Sequence, residues 1–240
     1  MFPPIGVVTE DYRRAYLFLY NLFQFVGFLY ILIVMTIRYL KSGPDSMNDT
    51  YKVVGMPFKF CQALQILEII HPMLKFTGGS PFMPFVQVLH VVQAMIIMVG
   101  GRLFITFAMI DAEPRMHSKP VVFYIFLIYS LAEIVRYPYY MLKTYNYAVD
   151  CLTWLRYTLW IVLYPLGFLC EGVIILRNIP YFEETGRFSL SLPNALNFSF
   201  YFPTILRVYL LLGYFPALYF VMTYMRRQRQ HILAPRHKVD

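Results

Sequence analysis

Apolar residues in this chain fall into long, nearly unbroken runs, not into the one-sided stripe of a soluble amphipathic helix. A helix needs about 20 predominantly apolar residues to cross a bilayer. Runs of that kind predict helices over residues 15–40, 57–74, 85–110, 121–141, 152–176 and 198–224. The second carries Gln62, Gln65, Glu68 and His71 and is the most polar of the set. The first follows the hydrophilic Asp11-Tyr-Arg-Arg14 and is too long for a signal-peptide core, so it is expected to remain as a helix. The longest connections fall at 41–56 and 177–197, and no internal repeat or soluble domain separates out. The expected fold is therefore all-α. It is a polytopic membrane protein, one transmembrane domain over residues 1–240 built as a bundle of six transmembrane helices.

Composition narrows the class. Of 240 residues, 59% are hydrophobic, 19% aromatic and 14% charged, with a mean hydropathy of +0.54. A soluble domain of this size cannot bury that much apolar surface. A disordered chain, a nucleic-acid reader and a secreted disulfide scaffold are excluded. The net charge of +8 is read as membrane electrostatics, because Arg226, Arg227, Arg229, Arg236 and Lys238 crowd the end of the chain. Arg13 and Arg14 flank the first run, so both termini are expected on the cytosolic side, which requires an even number of crossings. The sequons at Asn48 and Asn197 would then both face the lumen. Cys61, Cys151 and Cys170 form no C-x-x-C pair, and nothing in their spacing implies a metal site or a disulfide.

Charges inside apolar helices are costly and mark either function or internal pairing. Glu68, His71, His90, Arg102, Glu133, Arg136, Arg156, Glu171 and Arg207 all fall within the predicted spans. Glu133 and Arg136 are three apart and share a helix face. The plainer reading is an internal ion pair, with Glu68 or Arg156 as further partners; the other is an arginine that meets an anionic part of a ligand. His90 reads as packing, and Arg156 and Arg207 can snorkel toward the membrane surface.

The fifth run holds the most suggestive pair. Tyr164 and Glu171 are seven apart, two turns on nearly one face, with about 10.5 Å of rise between them. Pro165 and Gly167 lie between and are expected to loosen the helix. A phenol and a carboxyl on one apolar wall suit acid–base chemistry. The alternative is a Glu171 that neutralises an arginine beside a Tyr164 that only packs. Cysteine phosphatase chemistry fails on spacing, since Cys170 and Arg177 are separated by six residues where that loop needs five, and Glu171 beside the thiol opposes a thiolate.

The segment Tyr164-Pro-Leu-Gly-Phe-Leu-Cys-Glu171 resembles the very-long-chain (3R)-3-hydroxyacyl-CoA dehydratases, also called protein-tyrosine-phosphatase-like proteins. Leu67-Glu-Ile-Ile-His-Pro72, Glu133-Ile-Val-Arg-Tyr137, Leu152-Thr-Trp-Leu-Arg-Tyr157, Phe188-Ser-Leu-Ser-Leu-Pro-Asn194 and Asp45-Ser-Met47 are similar to further motifs of that family, in the same order. The resemblance implies six spans, the endoplasmic reticulum membrane, and dehydration of (3R)-3-hydroxyacyl-CoA to trans-2-enoyl-CoA, the third step of very-long-chain fatty acid elongation. It places the catalytic pair on Tyr164 and Glu171, with Glu133, Arg136, Tyr137 and Arg156 as supporting or substrate-binding candidates. The implied partners are the lipid bilayer, the long-chain acyl-CoA substrate, and the elongase, ketoacyl-CoA reductase and enoyl-CoA reductase of the cycle. No metal or redox cofactor is implied. One departure is His90-Val91, where the family commonly has Ser-Arg. It admits a non-catalytic scaffold as the rival reading. A small transporter is disfavoured, because matching pairs of broken helices are lacking.

Overall fold

The computed structural model describes residues 5–73, 98–190 and 199–233. Its elements, in chain order, are α1 (Ile5–Ser42), α2 (Thr50–Leu64), α3 (Ile66–Met73), α4 (98–111), α5 (Pro120–Thr144), α6 (Asp150–Arg156), α7 (Trp160–Thr185), α8 (Phe202–Val208) and α9 (Tyr214–Leu233). Among the described residues there is no strand, only one isolated bridge between Leu190 and Phe200. Among the described residues, four stretches are long and apolar enough to cross a membrane: Glu10–His71, Pro120–Thr144, Asp150–Thr185 and Phe202–Leu233. The run predicted at 85–110 is described only from residue 98, and His90-Val91 and Asn197 lie outside the described residues.

The Glu10–His71 stretch folds back on itself. Tyr16 Oη lies 3.0 Å from His71 Nε2, Tyr20 Oη donates to the Leu64 carbonyl at 3.1 Å, and Gln24 Nε2 donates to the Cys61 carbonyl at 3.1 Å. As numbers rise along α1 they fall along α3 and α2, so the two arms are antiparallel. Gly27 sets how closely they approach, since a Cβ there would meet Cys61 Sγ at 2.6 Å. The connection predicted at 41–56 is shorter than expected. A 3₁₀ turn over Gly43–Asp49 leads directly into α2 at Thr50. Likewise α7 continues to Thr185 through the first nine residues of the segment predicted as a loop at 177–197, and ends on Gly186 in the left-handed conformation that glycine adopts freely.

Helix α5 packs against α1, α2 and α7. Its buried face carries Phe126, stacked on Phe58 of α2 with ring centroids 3.8 Å apart. The surface is inverted relative to a soluble protein. Leu211, Leu212, Phe215 and Tyr219 are exposed, while Gln24, Gln62, Gln65, Glu133 and Asn178 are buried. In lipid, apolar side chains gain little from turning inward, so close packing and polar contacts hold the helices together. Pro138, Pro165 and Pro180 are accommodated inside helices, and α7 runs unbroken through Pro165 and Gly167.

Candidate active site

A cleft opens between α4, α5, α7 and α9, with about 640 Å³ of space that includes open solvent. Leu163, Phe168, Ile128 and Val221 supply its apolar lining. Its polar groups are Arg102, Tyr129, Tyr164, Glu171 and Tyr209. Tyr164 and Glu171 thus face one cavity, as their spacing on α7 predicts. Gly167, one turn before Glu171, keeps the wall between them thin; a Cβ there would touch Ile128 Cγ2 at 3.6 Å. Two π-helical turns flank the cleft, Phe104–Asp111 just after Arg102 and Tyr209–Gly213 beginning at Tyr209. Such turns recur at functional sites because they re-aim side chains at the cost of regular hydrogen bonding.

Glu171 accepts a hydrogen bond from Tyr129 Oη at 2.5 Å. It has no ion-pair partner among the described residues, so the reading in which it neutralises an arginine is not what the fold shows. Arg102 instead bonds Glu133, and its guanidinium lies 4.6 Å from the centre of the Tyr129 ring. Tyr164 packs near Trp160, with ring centroids 6.4 Å apart.

The supporting candidates divide. Glu133, on the buried face of α5, is flanked by Arg102 and by Arg136 Nε, 2.6 Å from its second oxygen. Arg136 also pairs with Glu68 at 2.7 Å and donates to Tyr137 Oη at 2.9 Å. Tyr137 in turn donates to Glu68 at 2.7 Å and accepts from Gln65 at 3.1 Å. The plainer reading of Glu133 and Arg136 therefore holds, extended by Glu68 and Arg102. None of Glu133, Arg136 or Tyr137 lines the cleft; they reach it through Arg102. Arg156 stands apart on α6, 3.5 Å from Tyr140 Oη and about 6 Å from the Tyr140 and Tyr157 rings, with its Nε unpartnered. Arg102 was visible in the sequence as an intramembrane charge, but without a role. Tyr129 was missed altogether, although its spacing of four and seven from Glu133 and Arg136 puts all three on one stripe of α5.

A family model described as "Protein tyrosine phosphatase-like protein, PTPLA" matches residues 62–235. The chain belongs to this family. Over 226 residues it is 41% identical to the very-long-chain (3R)-3-hydroxyacyl-CoA dehydratase of Gallus gallus, covering 94% of this chain and 59% of that protein. It is 39% identical over 218 residues to the Homo sapiens protein named dehydratase 3, covering 91% of this chain and 57% of that one. With Homo sapiens dehydratase 4 it shares 35% over 221 residues, 92% of this chain and 89% of the other. The chain thus spans just over half the length of the first two and most of the third. No solved structure matches it. The phosphatase in the family's description finds no support in the geometry. Residues 170–177 lie inside α7, where the backbone amides are committed to the helix and cannot cradle a phosphate.

Proposed function

We propose that this chain removes water from a long-chain (3R)-3-hydroxyacyl-CoA to give the trans-2-enoyl-CoA, the third step of very-long-chain fatty acid elongation. The observation that carries the reading is the cleft, where Tyr164 and Glu171 share an apolar wall. Similarity to proteins named as dehydratases supports it over most of the chain. The C2 proton of a thioester is only weakly acidic, and hydroxide is a poor leaving group from C3 unless protonated. Glu171, holding one donated hydrogen bond and a free oxygen, takes the C2 proton. The C2 electron pair forms the double bond as the C3–O bond breaks, and Tyr164 delivers its proton to the departing oxygen. Transfer of the proton from Glu171 back to Tyr164 restores the site. Arg102, fixed by Glu133, is the cationic donor on the cleft wall that polarises the thioester carbonyl. Arg156 and its surrounding tyrosines receive the more polar part of the substrate.

On this reading the chain crosses the endoplasmic reticulum membrane six times with both ends cytosolic, and works beside the elongase and the two reductases of the cycle. The crossings are α1, α2–α3, α4 together with the apolar run that precedes it in the sequence, α5, α6–α7 and α8–α9. Acyl-CoA arriving from the cytosol threads acyl chain first, past Arg156 toward Glu171. The deciding experiment is dehydration of a long-chain (3R)-3-hydroxyacyl-CoA by the purified protein in detergent, beside Tyr164→Phe and Glu171→Ala. Turnover in the parent and its loss in both folded variants is the expected result. Absence of turnover in the parent at every chain length would leave the scaffold reading. Cysteines placed at 164 and 171 that react only with lumenal reagents would end the threading scheme.

A further inference from the structure

Glu171 has three rotatable side-chain bonds and stands on a helix wall that is otherwise apolar, so its direction depends on whatever bonds it. Among the described residues that partner is Tyr129, whose hydroxyl donates to Oε1 at 2.5 Å from the facing helix α5. Tyr129 is itself held by two neighbours. Its ring is nearly parallel to Phe58, centroids 6.2 Å apart, and on another side the Arg102 guanidinium lies 4.6 Å from its centre. Arg102 in turn is bonded to Glu133, one turn along the same helix as Tyr129. A buried ring fixed in this way leaves its hydroxyl one place to point.

We propose that Tyr129 is a positioning residue for the reaction: its hydroxyl occupies Oε1 of Glu171 and so presents Oε2 to the substrate's C2 proton, while Arg102 and Phe58 lock the ring that carries it. For its kinetic consequence the inference rests on the dehydratase reading. The hydrogen bond itself stands apart from that reading. Groups that orient a reacting side chain are worth about 10- to 100-fold when removed, and the loss falls on the chemical step.

The test uses the full chain in detergent. Tyr129→Phe keeps the ring between Phe58 and Arg102 and deletes only the hydroxyl; Tyr129→Ala deletes both. With long-chain (3R)-3-hydroxyacyl-CoA, Tyr129→Phe is expected to lose about 10- to 100-fold in kcat with KM within about twofold of the parent. Tyr129→Ala should lose at least as much and melt at a lower temperature. Full kcat in Tyr129→Phe with a deficit only in Tyr129→Ala would reduce Tyr129 to packing and overturn the proposal. So would a complete loss in Tyr129→Phe alongside an active Tyr164→Phe, which would make Tyr129 the acid itself. A second readout needs no turnover. The infrared carboxyl band that disappears in Glu171→Gln is expected to shift in Tyr129→Phe. If the parent proves inactive, the dehydratase reading falls while this band still judges the bond, and a band unmoved by Tyr129→Phe rejects the proposal.

Discussion

Two carboxylates, Glu133 on α5 and Glu171 on α7, stand in opposite condition. Glu133 is fully buried, with a guanidinium on each oxygen, and Arg136 passes the charge on to Glu68. Glu171 has a single phenol for company and an open cleft on its other side. A buried charge persists only when it is paired and hydrogen-bonded, so Glu133 is bound into the framework that holds α3, α4 and α5 together. A carboxyl left with an unoccupied oxygen on a cavity is available to a substrate. Glu133 is fully buried while Glu171 is partly exposed on the cleft, and the number of cations within bonding distance separates them further.

Paired substitutions give that comparison its sharpest test. Glu171→Gln is expected to lower kcat by about 10²- to 10⁴-fold, the usual worth of a general base, with the melting temperature held near the parent value. Glu133→Gln is expected to do the reverse in emphasis. It strands Arg102 and Arg136 with a missing counter-charge, at a cost of about 3–5 kcal/mol in stability, seen as a marked fall in Tm in detergent. Equal melting losses in the two variants would erase the distinction drawn between the sites.

The wall behind Glu171 offers a finer probe. A Cβ on Gly172 would lie 2.9 Å from Tyr214 Oη and 3.2 Å from its Cζ, while Tyr214 donates to the Phe168 carbonyl. Gly172→Ala should therefore displace Tyr214 and cost about 1–3 kcal/mol by overpacking. Gly167→Ala adds only an ordinary contact at 3.6 Å and should cost about 0.5 kcal/mol or less. Thermal melts that rank the two variants in the opposite order would show that this wall is looser than described.

The smallest effect concerns a carboxylate outside both regions. Glu113 sits in the α4–α5 connection, where bonds from Arg115 hold its carboxyl below the ordinary range. A depressed folded-state value means that its stabilisation is present above the unfolded value, about 4.3, and fades as pH falls through the lower folded one. Glu113→Gln should lower the neutral Tm slightly and flatten its decline below about pH 4.3, so that parent and variant converge in acid. An identical acid profile in parent and variant would remove Glu113 from the account.

Much of this was legible in the chain itself. Hydropathy located α5 within a few residues and found the apolar centres of α1, α6–α7 and α8–α9, whose ends run up to ten residues further, because the bilayer's thickness imposes a length that apolar runs must meet. The seven-residue interval placed Tyr164 and Glu171 on one face, because helical geometry is local. Helix ends were less readable. Residues 177–185 are helical despite their charges, and Thr50 begins α2 where a loop was expected, since extramembrane turns owe nothing to lipid solubility.

What the sequence by itself determined is therefore the class of molecule, the approximate course of its apolar helices and the spacing of its candidate pair. Beyond the Glu133–Arg136 pair, tertiary structure decided which charges are neutralised and which remain available. Glu133 has Arg136 three residues on and Glu171 has no basic residue at such a spacing, yet nothing in the sequence assigns Arg102 to either. Arg102 lies 31 residues before one and 69 before the other, and only the packing of α4 against its neighbours directs its guanidinium to Glu133 and onto the Tyr129 ring. Pairing acts over a few ångströms in space, and separation along the chain carries no record of it.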